Sequence, residues 1–145
     1  MQIHQDYNLG AYTIRAYRTG EVVIAQPLPE ERRRPDSGPG DMQLTTVAAS
    51  VVVTPQRLLT DWAPQHHREL EPRHLENLLV LEPELVLLGT GRRLHFPPAT
   101  VTEPLLRRGI GVEVMDTAAA CRTYNFLMAD GRRVAAALLM IEGED

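Results

Sequence analysis

The stretch "DTAAACRTYNFLMADGR", Asp116 to Arg132, concentrates the residue types that could do chemistry, among them Cys121, the chain's single cysteine. Read as a helix at about 100° per residue, it sets Thr117, Cys121 and Asn125 on one face within roughly 80°. A hydroxyl, a thiol and an amide in line could border a pocket, and a thiol of lowered pKa beside a base is a nucleophile. Cys121, however, lies beyond the first turn, where the helix dipole has faded, and Arg122 is expected on another side of the helix. Free cysteine is among the most buried residue types, and Ala118–Ala120 precede this one. Cys121 therefore reads as the small side of a helix lying close against a sheet. Asp116 or Thr117 reads as the helix cap, a side-chain oxygen accepting a backbone N–H.

A second group is Gly89-Thr90-Gly91-Arg92, at the end of an apolar run. The glycines would let backbone approach a ligand, and Arg92 and Arg93 could pair with an anion. The stretch lacks a GxGxxG fingerprint and no helix opens directly behind it, so a tight turn is the simpler reading. In open α/β sheets, ligands favour the crevice beyond the carboxyl ends of the strands. The candidate crevice is then Gly89, Thr90, Gly91 and Arg92 with Asp116, Thr117, Cys121 and Asn125. No catalytic residue is assigned. His66, His67 and His74 show no HExxH-type spacing, and adjacent histidines are expected to point apart, so no metal site is expected. Trp62 reads as a core or hinge aromatic, with a partner-binding anchor as the alternative.

The elements that must position these residues fall into two halves. "AYTIRAY" and "EVVIA" read as strands joined by Arg18-Thr19-Gly20, a three-residue hairpin loop. "SVVVTP" is a further strand stopped by Pro55. Between them, residues 26–41 ("QPLPEERRRPDSGPGD") carry the Pro, Gly and charge of a mobile loop. The second half alternates helix and strand. "PRHLENLLVLEP" reads as a helix with Leu75, Leu78 and Leu79 inward; "ELVLLGTG" as a strand; "PPATVTEPLLRRG" as a helix stopped at Gly109, with Pro104 in its first turn or at a kink. "GIGVEVMD" is a strand, "TAAACRTYNFLMA" a helix closed by Asp130-Gly131, and "RRVAAALLMIE" the last strand. Such αβ units predict a single α/β domain over residues 1–145, its mostly parallel sheet covered by helices. The N-terminal hairpin is expected to extend that sheet or to pack on it as an extra layer.

At 145 residues and 43% hydrophobic, the chain can bury a core without disulfides or metal. Its net charge of −4 argues against nucleic acid as a partner. All its basic residues are arginine, which removes Schiff-base chemistry and lysine-dependent phosphate loops. The apolar runs near residues 85–88 and 134–141 fall far short of the ~20 residues that span a bilayer, so no membrane insertion is expected. "MQIHQDYNLG" has neither a secretory signal's pattern nor a presequence's Arg-rich one, and a cytoplasmic location is expected.

"GTG" at 89–91, "GIGVEVMDTAAACRTYNFL" and "GRRVAAALL" together resemble the Mth938-like domain family of small uncharacterised proteins. That family includes the mitochondrial assembly factor for respiratory complex I (NADH:ubiquinone oxidoreductase). The similarity is densest from Leu85 to Leu139 and continues more weakly from Tyr12 to Trp62. The resemblance implies a three-layer α/β fold around a central mixed sheet, protein partners such as respiratory-complex subunits or assembly proteins, no cofactor, and no catalytic residue to carry over. A non-enzymatic protein-binding domain is the leading expectation. The alternative is an enzyme binding a small ligand or anion in the crevice around Gly89–Arg92 and Asp116–Asn125.

Overall fold

The computed structural model describes residues 10–28, 32, 34–36 and 41–140. Two sheets organise them. The first is antiparallel: β1 (Thr13–Arg18), β2 (Glu21–Pro27) and β3 (Met42–Val47), in that order. Arg18 pairs with Glu21, so the hairpin loop is Thr19-Gly20 alone, two residues rather than the three expected. Gly20 takes φ +85°, which a side chain would disfavour. β1 carries a bulge between Ile14 and Ala16. Gln26 and Pro27, expected in the mobile loop, instead end β2 opposite Gln43 and Met42. Half of that loop, residues 29–31, 33 and 37–40, lies outside the described residues.

The central sheet has the order β5-β4-β8-β6-β7. Its strands are β4 (Val51–Val53), β5 (Leu58–Leu59), β6 (Leu85–Gly89), β7 (Gly111–Met115) and β8 (Val134–Leu138). β6 runs parallel to both β7 and β8, while β4 runs antiparallel to β8 and β5, so the sheet is mixed. β8 is the alanine-rich strand "VAAAL", wholly buried in mid-sheet. Burial on both faces is why its sequence is continuously apolar rather than alternating.

Each face of that sheet has its own core. Val51, Val53, Leu87, Ala136 and Leu138 point to one side, where they meet Ile14, Val22 and Ile24 of the small sheet and Ala120, Cys121 and Tyr124 of a helix. That helix is α3 (Thr117–Ala129). Val52, Val86, Leu88, Ala135 and Ala137 point the other way, to Trp62, Leu75, Leu78, Val101 and Leu105. These belong to or abut α1 (Pro72–Glu76), the 3-10 helix Asn77–Leu81 that continues it, and α2 (Ala99–Leu106). The domain is thus a three-layer α/β fold, with the N-terminal strands packed on the central sheet as a separate sheet.

Two local departures concern the helices. The helix expected over "PRHLENLLVLEP" is α-helical for its first turn only and then tightens to 3-10. Leu75 and Leu78 are buried in the core, and Leu79 and Leu81 pack against it partly buried, so the inward leucines keep their place through the change of helix type. Pro104 is neither in the first turn of α2 nor at its end; it is the sixth of eight residues and buried. There it offers no amide proton to the preceding turn.

Candidate functional site

The chain leaves β6 toward α2, on one face of the sheet, and leaves β7 toward α3, on the other. This is the kind of switch point at which α/β sheets open a crevice. Here the two loops are joined by hydrogen bonds. Thr90 N–H donates to Met115 O at 2.9 Å, and Thr117 N–H to Gly91 O at 2.8 Å. The Thr117 hydroxyl accepts from Gly91 N–H at 2.8 Å and donates to Leu139 O at 2.8 Å. The Thr90 hydroxyl donates to Arg93 O at 2.6 Å and accepts from His95 N–H at 3.0 Å. Thr90, Gly91 and Thr117 are all buried.

Gly89 explains why the helix can come so close. A Cβ there would stand 2.9 Å from Thr117 Oγ1, 3.0 Å from Thr117 Cα and 3.2 Å from Leu138 Cδ2. The glycine makes room for the protein's own helix. Asp116 caps that helix, its carboxylate accepting from Ala119 N–H at 2.8 Å. Arg92 is exposed on the loop beyond.

Cys121 and Asn125, one and two turns further along α3, face β1 instead. The Asn125 side-chain amide takes both main-chain groups of Ile14: Ile14 N–H donates to Oδ1 at 2.9 Å and Nδ2 donates to Ile14 O at 2.7 Å. It does for the edge of β1 what a neighbouring strand would do. Tyr124 Oη donates to Tyr12 O at 2.8 Å, a second tie between α3 and this edge. Cys121 is 4% exposed, and burial pushes its thiol up to about 12. Arg122, expected on another side of the helix, borders the same groove as Cys121 and favours the thiolate, but desolvation outweighs it. The thiol is therefore neutral at physiological pH. Of the eight residues of the expected crevice, Gly89, Thr90, Gly91, Asp116 and Thr117 form the junction, Cys121 and Asn125 line a groove on β1, and Arg92 lies exposed on the loop.

The histidines arrange themselves in a way that spacing does not foretell. The His67 and His95 rings stack at 3.7 Å between centroids, 3° from parallel, and His66 lies 4.3 Å from His67. Neighbours expected to point apart thus lie side by side, because His67–Glu69 forms a 3-10 turn and His66 caps it, its Nδ1 accepting from Arg68 N–H. His74 is buried elsewhere. Its Nδ1 accepts from Glu71 N–H at 3.0 Å, and its carbonyl accepts from Trp62 Nε1 at 3.2 Å. Burial lowers its pKa. Among the described residues, no group of three His, Cys, Asp or Glu is placed to hold a metal ion, and no helix is long and apolar enough to cross a membrane.

A mixed sheet with α3 clasped to the ends of β6 and β8 and to the edge of β1 defines a small α/β domain, and its sequence places it in a family. Residues 36–139 match the family described as "Protein of unknown function (DUF498/DUF598)", to which the chain belongs. Among its relatives is the zebrafish (Danio rerio) protein "NADH dehydrogenase [ubiquinone] 1 alpha subcomplex assembly factor 3", 42% identical over 96 residues, which cover 65% of this chain and 55% of the relative. The chain thus spans about half the length of the curated relatives it matches. A crystal structure of a Bordetella parapertussis protein superposes with a TM-score of 0.73 at 33% identity, covering 91% of this chain and 98% of the other. The solution structure of a Bordetella pertussis protein called "a Mth938-like domain" superposes with a TM-score of 0.68 at 29% identity, covering 92% and 87%. The Mth938-like family with its complex I assembly relatives is therefore this chain's family.

Proposed function

We propose that this domain is a non-enzymatic protein-binding module that takes part in assembling a respiratory-chain complex. The observation that carries the reading is the similarity to a protein named as an assembly factor for NADH dehydrogenase. The geometry of the strand ends is compatible with it. The hydroxyls of Thr90 and Thr117 are engaged with main chain, and Cys121 is a buried neutral thiol. A role in the cytoplasm, acting on respiratory subunits or other assembly proteins, belongs to the same reading.

The test is affinity capture of the tagged chain from gently detergent-solubilised cells, with subunits identified by mass spectrometry and the tag alone as control. Recovery of subunits or assembly proteins of one respiratory complex is the expected result. Recovery of nothing above the control, with the tagged chain soluble and folded, contradicts the reading.

A further inference from the structure

Between the bulged edge of β1 and the outer side of α3 runs a groove of about 240 Å³, lined by Ile14, Arg15, Ala16, Tyr17, Ala118, Cys121, Arg122 and Asn125. It is smaller than the ~300–1,000 Å³ pockets that take whole small molecules, and fits a side chain or two of a larger partner. Its walls are held by the paired Asn125–Ile14 hydrogen bonds and by Tyr124–Tyr12. The floor is the small side of the helix, Ala118 and Cys121.

The two charged side chains that line it, Arg15 and Arg122, are both basic, while the Asp116 carboxylate is also felt at Cys121. Arg15 and Arg122 are both exposed, and neither is paired with a carboxylate among the described residues. None of the residues lining the groove is acidic. Arg15 stands at the bulge, the device that re-aims a side chain from a strand edge. In a chain of net charge −4, two guanidiniums on one groove, with no carboxylate partner among the described residues, make a locally basic feature. Phe126 follows Arg122 by one turn on the same stripe of α3 and is 76% exposed.

We infer that this groove docks an acidic segment of a protein partner, with Arg15 and Arg122 holding its carboxylates and Phe126 meeting an apolar residue beside them. Guanidinium forks suit carboxylates in geometry as well as charge, and an exposed aromatic next to them is the composition of an interface anchor. The inference rests on the protein-binding reading and names the chemistry of the partner.

The experiment is a fluorescence-anisotropy titration of the full chain with a short labelled peptide alternating glutamate and leucine, and with its lysine counterpart. Saturable binding of the acidic peptide alone is expected, weakening with added salt. Arg15→Glu with Arg122→Glu should weaken it by about tenfold or more, whereas Arg107→Glu with Arg108→Glu, just past the end of α2, should leave it unchanged. Both pairs are exposed, and circular dichroism checks that the variants fold. Absence of binding at low salt, or equal losses from the two pairs, overturns the inference. So does binding of phosphatidylserine vesicles through Arg15 and Arg122 with the peptide ignored, which assigns the groove to a lipid surface. Failure here leaves a successful capture of respiratory subunits standing. Groove-specific peptide binding with no subunits captured sinks the assembly role alone.

Discussion

The two ends of the "DTAAACRTYN" stretch meet the rest of the molecule in opposite ways. At Asp116–Thr117 the helix is clasped to the ends of β6 and β8, with hydroxyl, amide and carbonyl groups joined to one another in a buried junction. At Cys121–Asn125 it clamps one residue of an edge strand and leaves a groove with two arginines that have no carboxylate partner among the described residues. Polar groups at the carboxyl ends of parallel strands can thus be engaged by the chain itself. What separates the regions is whether the polar groups have already found partners inside the chain.

Thr117→Val should mark the junction most strongly. It leaves a buried amide and a buried carbonyl without their hydroxyl partner, at a cost of about 2–4 kcal/mol in urea unfolding. Thr117→Ser keeps the hydroxyl and should cost about 0.5–1.5 kcal/mol. If the two substitutions cost the same, the hydroxyl is not what holds the junction. Asn125→Ala should cost less, about 1–2 kcal/mol, because water can reach the half-exposed edge of β1 and replace the amide. It should also weaken acidic-peptide binding by loosening the groove wall. A loss as large as that of Thr117→Val would erase the contrast between the regions.

A smaller effect concerns His74, outside both regions. Burial lowers its folded pKa below that of the unfolded chain, about 6.5. Its contribution to stability is thus complete above that value and is lost as pH falls through the lower, folded one. His74→Gln can keep the capping hydrogen bond to Glu71 N–H and should flatten the pH dependence of unfolding below neutrality. An unchanged slope would place the acid sensitivity elsewhere. Smallest of all, Cys121→Ala should cost about 1 kcal/mol or less in urea unfolding. Native Cys121 should react with an alkylating reagent far more slowly than in the denatured chain.

The contrast explains what could be read in advance. The start of α3 was legible because its signal is local: Asp116 caps Ala119 three residues on, and the helix runs over the residues expected. β8 was legible from its boundaries, and Trp62 from its aromatic bulk. β3 was not, because "MQLTTV" has a weak alternation and follows a Pro/Gly-rich loop that masks it as loop. The Asn125–Ile14 clamp spans 111 positions in sequence, and the His67–His95 stack joins a 3-10 turn to a distant loop. Neither leaves a periodic trace. Gly89 was visible as a residue that admits a close approach; that Thr117 rather than a ligand does the approaching is a tertiary fact.

The central claim is that the strand-end polar groups are consumed in closing the junction, and native-state amide hydrogen exchange by NMR tests it most directly. The amides of Thr90, Gly91 and Thr117 should exchange only through global unfolding, with its full denaturant dependence, while Ile14 opens earlier. Rapid, denaturant-independent exchange at Gly91 and Thr117 would mean an open crevice and would contradict the claim.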